Sequence, residues 1–122
     1  MYGGRFGLDR DTALRVAGAF GGGMARRGET CGAVTGAFMV IGLKHGKTKS
    51  DDDDAREETY ELVSEFIRRF QKRNKTILCR ELLGHDLGTE AGREIIMEQN
   101  LIVTRCPEFV RAAGEILEDI LG

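Results

Sequence analysis

The stretch that decides the fold is residues 21–36, GGGMARRGETCGAVTG. Three consecutive glycines end one helical pattern, and Cys31 then stands at the predicted start of an apolar, glycine-rich helix. Backbone N–H groups at a helix N-terminus are unpaired and carry partial positive charge. A thiol at that position loses its proton more easily, and the thiolate is the form that attacks sulfur and binds metals. The pattern therefore predicts a helical protein with sulfur chemistry at Cys31.

Apolar residues recur at helical spacing on both sides of this stretch. A first helix is predicted from a cap at Asp9 or Asp11 to Phe20, where the glycines end it. A second helix is predicted after Thr30, its expected N-cap, and runs to about His45. The glycine-rich stretch thus connects two helices.

The second predicted helix is unusually apolar, because it contains no charged residue before Lys44. A helix that is apolar all round is typical of burial on all sides, so we expect it to be the centre of the fold. Interior glycines cost about 1 kcal/mol each relative to alanine. Gly32 and Gly36 therefore indicate close approach of another backbone or of a ligand to this helix.

The rest of the chain continues the helical pattern. The acidic run at 51–54 is expected to cap a long amphipathic helix, and a short helix is predicted over 76–84. Residues 88–100 have a weaker helical pattern, and 101–104 resembles a strand. Pro107 is expected at the first position of the last helix. The sequence predicts an all-α bundle of about five helices, in a single domain spanning 1–122.

Composition and charge exclude several classes of protein. The formal net charge of −2 argues against a nucleic-acid binder, which normally has a clear basic excess. The longest apolar run, 37–43, is far shorter than the roughly 18 to 20 residues of a membrane span. Residues 1–7 lack the pattern of a secretory signal, so we expect a cytoplasmic protein.

Two further cysteines, Cys79 and Cys106, complete the inventory. No two cysteines are spaced as CxxC, which excludes a zinc ribbon or a thioredoxin-type motif. If the fold brings all three together, soft sulfur ligands favour an iron–sulfur cluster, zinc or copper(I). The fourth position is open to water, His45 or His85, an exogenous thiol or a partner chain. Of the two histidines His85 is the better candidate, because His45 would lie about 20 Å from Cys31 along the helix.

Four segments resemble the C_GCAxxG_C_C family of redox-active proteins. Residues 30–37, TCGAVTGA, match its CGAxxG motif, and residues 21–24 resemble its glycine loop. Residues 79–84, CRELLG, match a further family element, and Cys106 corresponds to the last family cysteine. The correspondence covers nearly the whole chain in the right order.

The resemblance implies a small helical fold and redox chemistry at Cys31, Cys79 and Cys106, with the same sulfurs as metal ligands. It also implies an earlier helix with a first cysteine, upstream of the segment that corresponds to residues 7–9. The chain begins after that point, so we do not expect a four-sulfur site from one chain. Glycine lets a ligand approach the backbone closely. The candidate cofactor-binding positions are Gly22, Gly23, Gly32 and Gly36.

Two other interpretations stay open beside the redox one, and whether the chain is an enzyme is left undecided. A non-enzymatic helical module that forms a homodimer would bury apolar surface between copies and use the cysteines structurally. Phosphate binding by the glycine loop, with Arg26 and Arg27, is the weakest interpretation, because GK[ST] is absent and a helix precedes the loop. For the redox interpretation we expect an electron-transfer protein as partner.

Overall fold

The computed structural model describes residues 7–122. Most of the segment 1–7, in which no secretory signal is expected, lies outside the described residues. Six helices occur in this part of the chain, and a helical turn at Gly21–Met24 lies between the first two. They are α1 Arg10–Ala17, α2 Gly32–His45, α3 Asp53–Asn74, α4 Cys79–Leu83, α5 Glu90–Glu98 and α6 Leu101–Leu121. Residues 7–122 contain no sheet, and the all-α prediction is confirmed.

Three helices form the centre of the molecule: α2 packs on both α3 and α6, and α3 packs on α6. The core between them contains Phe66 and Phe70, whose stacked rings have centroids 5.8 Å apart. Phe38 of α2 meets Phe66 edge to face at 6.0 Å. The largest fully buried side chains are Phe66, Phe70, Ile41, Ile96 and Val34.

Helix α2 buries one face and not its whole circumference. Its buried residues are Val34, Thr35, Ala37 and Ile41, whereas Leu43 is 41% exposed. The expectation of burial on all sides is therefore wrong. Only two long helices, α3 and α6, are available to cover α2, and the remaining apolar residues of its first three turns are half-buried.

Helix α1 is shorter than its pattern predicts and lies at the surface. Asp9 caps it, because the Asp9 carboxylate accepts a hydrogen bond from the Thr12 backbone N–H at 2.9 Å. The helix ends at Ala17, before Phe20, and none of its residues is buried. Helix α3 begins as predicted within the acidic run, where Asp52 accepts from the Ala55 N–H at 3.1 Å.

The last helix differs most from its prediction. It begins at Leu101, so the residues that resemble a strand are helical and Pro107 lies inside the helix. Asn100, with a left-handed φ of 56°, separates α5 from α6. An interior proline removes one hydrogen bond and displaces the backbone by its ring. The apolar face from Leu101 to Ile120 packs against the core and keeps the helix continuous across this point.

We expect Phe66→Ala to lower the free energy of unfolding by about 3 to 5 kcal/mol, because it leaves a cavity where two aromatic contacts converge. Tyr60→Ala is the matched control on the same helix: Tyr60 is 59% exposed, so its loss should cost less than about 0.5 kcal/mol. Urea unfolding followed by circular dichroism measures both. Equal losses would contradict the assignment of the core.

Candidate functional site

A single antiparallel backbone bridge brings two of the cysteines together. Thr30 pairs with Leu78, the Cys31 N–H donates to the Ile77 carbonyl at 2.8 Å, and the Cys79 N–H donates to the Glu29 carbonyl at 2.6 Å. Successive side chains on paired strands point to opposite faces. Cys31 and Cys79, each one residue beyond the bridged pair, therefore lie on the same face.

Arg80 extends this pairing by one step. Its backbone N–H donates to the Gly28 carbonyl at 3.1 Å, and its guanidinium lies 3.3 Å from the Glu29 carboxylate. Both interactions join the segment before α2 to the start of α4. The two cysteines are thus held by main-chain bonds and not by side-chain packing alone.

The glycine stretch forms a left-handed turn. Five consecutive residues have positive φ: Gly22, Gly23, Met24, Ala25 and Arg26. The expectation that the glycines adopt positive φ is confirmed for Gly22 and Gly23, whereas the positive φ of Met24, Ala25 and Arg26 was not predicted. Left-handed backbone costs a residue other than glycine about 1 to 2 kcal/mol. The Gly28 and Glu29 N–H groups donate back to the Gly22 and Gly23 carbonyls, at 3.2 and 3.0 Å, and close the turn.

This turn packs directly against Cys79. A Cβ added at Gly23 would lie 2.7 Å from the Cys79 Cβ and 2.7 Å from the Glu29 nitrogen. At Gly32 an added Cβ would lie 3.2 Å from the Phe20 carbonyl oxygen. Glycine is required at Gly23, and the expected close approach of another backbone is found at Gly32.

Gly36 departs from that expectation. A Cβ added there would meet nothing within 4 Å, so no other backbone approaches this part of α2. The prediction of a close backbone contact at Gly36 is wrong, and the alternative of a ligand there stays a prediction. Its role as a cofactor-binding position, like that of the other three glycines, stays a prediction.

The third cysteine, Cys106 on α6, joins the other two within electrostatic range. All three are free thiols; Cys79 is buried, and Cys31 and Cys106 are half-buried. Burial raises the pKa of Cys79 to about 11, and negative charge on Cys31, Cys106 and Asp86 contributes to that rise. The pKa of Cys106 is also raised, by burial and then by Cys31, while Arg105 lowers it.

The easily ionised thiol predicted at Cys31 is not found. Cys31 is the N-cap of α2, one residue later than the expected cap Thr30, and the Ala33 and Val34 N–H groups lower its pKa. Burial outweighs them, so the pKa of Cys31 is raised. The effect of the helix N-terminus on Cys31 follows from the sequence, but the burial of the thiol does not, because it depends on how other segments cover the sulfur.

Two charged neighbours of the thiols were absent from the sequence prediction. Arg105 directly precedes Cys106, so a search for cations adjacent to cysteines would have found it. Asp86 follows Cys79 by several residues across the left-handed Gly84, and only the fold shows that its charge acts on Cys79. The Asp86 carboxylate also accepts from the Gly88 N–H at 2.7 Å.

The positions of the possible donor side chains bear on the expected metal site. Within residues 7–122 no group of three or more His, Cys, Asp or Glu side chains is placed to hold a metal ion. His45 lies at the far end of α2, where it pairs with Glu58 at 3.2 Å. His85 follows α4 and is half-buried. The three sulfurs have suitable chemistry for a soft metal, but their arrangement does not fit one.

These features define a small all-α protein with three free thiols on separate helices, one of which, Cys79, lies against a left-handed glycine turn. The family model described as "Putative redox-active protein (C_GCAxxG_C_C)" matches residues 1–120, and the chain belongs to this family. Comparison with curated proteins and with solved structures found no match. In the part of the chain that the structure describes, no helix is long and apolar enough to cross a bilayer.

Substitution by alanine should have opposite effects on stability at Gly23 and at Gly36. Gly23→Ala forces a side chain into positive φ and against Cys79, and we expect it to destabilise the fold by more than about 2 kcal/mol. Gly36→Ala places a methyl group in open space on a helix and should stabilise by about 0.5 to 1 kcal/mol. Urea unfolding compares the two. Destabilisation by Gly36→Ala would show that the helix face is covered.

Stability should fall at alkaline pH because of Cys79. Its pKa rises from 9.0 to about 11 on folding, so the folded protein holds the proton more tightly than the unfolded chain. The resulting stabilisation is complete below about pH 9 and is lost as the pH passes through the folded pKa. Urea unfolding under reducing conditions from pH 8 to 11 should give a steeper decline for the wild type than for Cys79→Ser. Parallel curves would contradict a raised pKa.

Proposed function

We propose that this protein carries out thiol–disulfide redox chemistry, with two of its three cysteines forming a disulfide reversibly. The observation that carries the proposal is the antiparallel bridge, which places Cys31 and Cys79 side by side on one face. Charge on Cys31 also raises the pKa of Cys106 on α6, which supports the presence of the third thiol nearby. The family description supports the same chemistry at a coarser level. In each cycle two protein thiols lose two electrons and two protons, and an external disulfide accepts them and becomes two thiols.

Three thiols allow the disulfide to move between different pairs, which two thiols do not. After one disulfide has formed, the remaining thiol can attack it and shift the bond to a different pair. The raised pKa values keep most of each thiol protonated at neutral pH. The reduced form is therefore slow to react until an oxidant is bound close to a thiol, which limits indiscriminate oxidation.

Binding of zinc or an iron–sulfur cluster by the same three sulfurs is the alternative within this chemistry. It requires deprotonated thiolates, whereas burial favours the protonated form of all three. We therefore place it second. It also requires the sulfurs of Cys31, Cys79 and Cys106 to move together, because their arrangement within residues 7–122 does not fit a metal ion.

The alternative from another functional class is a helical oligomerisation module. Its support is α1, which buries none of its residues and exposes Leu14 and Val16, together with Val103 and Val110 exposed on α6. Such a module predicts a homodimer by light scattering. The two functions can coexist.

The proposal predicts a specific thiol count. Anaerobically purified protein treated with excess diamide, a thiol oxidant, should lose two of three titratable thiols and 2 Da in mass, and dithiothreitol should restore both. Any one Cys→Ser substitution leaves two thiols and shows which pairs still close. A monomer with three free thiols after oxidation would contradict the proposal. Stoichiometric metal or inorganic sulfide in the purified protein would instead support metal binding.

A further inference from the structure

One cleft in the described part of the chain lies one helical turn from Cys106 and has no assigned role. It has a volume of about 470 Å³ and lies between the glycine turn on one side and Leu87 and Ile102 on the other. Gly18, Gly21 and Gly22 contribute bare backbone to its wall, and Arg26 lines it as well. The cleft is therefore largely apolar, with one cation.

The register of α6 connects the cleft with Cys106. Ile102 and Cys106 are four residues apart in this helix, so they share a face and are separated by a rise of about 6 Å. On the opposite wall, Gly21 packs against Gly32, the residue after Cys31: a Cβ added at Gly32 would lie 3.7 Å from the Gly21 Cα. No cysteine lines the cleft itself: Cys106 lies one helical turn from its lining residue Ile102, and Cys31 directly precedes Gly32, which packs against its lining residue Gly21. The buried Cys79 lies beneath the turn at Gly23.

Arg26 is the group that gives the cleft its selectivity. Its aliphatic stem folds over Gly22, where an added Cβ would lie 3.1 Å from the Arg26 Cγ and 3.5 Å from the Leu87 Cδ1. No carboxylate within residues 7–122 forms an ion pair with Arg26. The lining contains no acidic residue, and a guanidinium matches the two oxygens of a carboxylate.

We propose that this cleft binds the external redox substrate, a small disulfide or thiol whose carboxylate pairs with Arg26 and whose sulfur reaches Cys106. The inference rests on the proposed thiol–disulfide function and adds the substrate class and the entry point. The glycine-lined wall lets an amide-containing ligand lie against the backbone. Because the whole protein is weakly acidic, binding of an anion depends on the local charge at Arg26.

The exchange then proceeds in two balanced steps. The deprotonated Cys106 sulfur attacks one sulfur of the bound disulfide, that S–S bond breaks, and the other half leaves as a thiolate. Deprotonated Cys31 next attacks the Cys106 sulfur, a Cys31–Cys106 disulfide forms, and the second half leaves as a thiolate. The protons given up by the two protein thiols neutralise the two leaving thiolates.

The test compares disulfides that differ in charge. Glutathione disulfide carries carboxylates, and 2-hydroxyethyl disulfide is neutral. Arg26→Gln should slow oxidation by glutathione disulfide about two- to fivefold, as expected for an exposed ion pair, and leave the neutral disulfide unchanged. Arg27→Gln, the exposed neighbour outside the cleft lining, is the matched control and should alter neither rate. The effect should shrink at 0.5 M salt because the ion pair is screened.

Each outcome is decisive. Equal slowing with both disulfides, an equal effect of Arg27→Gln, or no effect of Arg26→Gln would overturn the cleft assignment while oxidation itself persists. If neither disulfide oxidises the wild type, the proposed function fails instead. Mass spectrometry of Cys31→Ser should trap the glutathione adduct on Cys106; an adduct on Cys79 would overturn the entry point. Circular dichroism verifies that the variants are folded.

Discussion

The antiparallel bridge between Thr30 and Leu78 is the constraint on which the site depends. Its flanking hydrogen bonds join the segment before α2 to the start of α4, and in both of them the donor is the N–H of a cysteine, Cys31 or Cys79. The glycine turn can only close over Cys79 because Glu29 is already fixed by this pairing and donates back to Gly23. A local main-chain interaction therefore positions two thiols and the turn that covers them.

Two opposing effects set the chemistry of the thiols. The N-terminus of α2 favours the Cys31 thiolate, and the removal of water around the sulfur disfavours it more strongly. The pKa of Cys79 is raised to about 11, because the thiol is buried and has Asp86 as an additional negative neighbour. A cluster of this kind stores reducing equivalents in protonated form, and its reactivity depends on which thiol an incoming sulfur can reach.

The sequence predicted the parts of the structure that have a local cause. The caps at Asp9 and Asp52, the positive φ of Gly22 and Gly23, and the glycine approach at Gly32 follow from short-range rules. The predictions of a backbone contact at Gly36, of all-round burial of α2 and of easy ionisation of Cys31 failed, because each depends on how distant segments pack. Pro107 shows the same limit: its local preference is a helix start, and the apolar face of α6 overrides it.

The interior position of Pro107 has a mechanical consequence for the site. Since proline has no N–H, the Val103 carbonyl one turn earlier lacks its usual helical partner, and α6 has a compliant joint directly after Cys106. The residues from Phe109 onward are anchored in the core, whereas Ile102 and Val103 before the joint are exposed. Leu101 and Cys106 also pack against the core, so tertiary contacts hold the helix on both sides of the missing hydrogen bond and keep the third thiol in place.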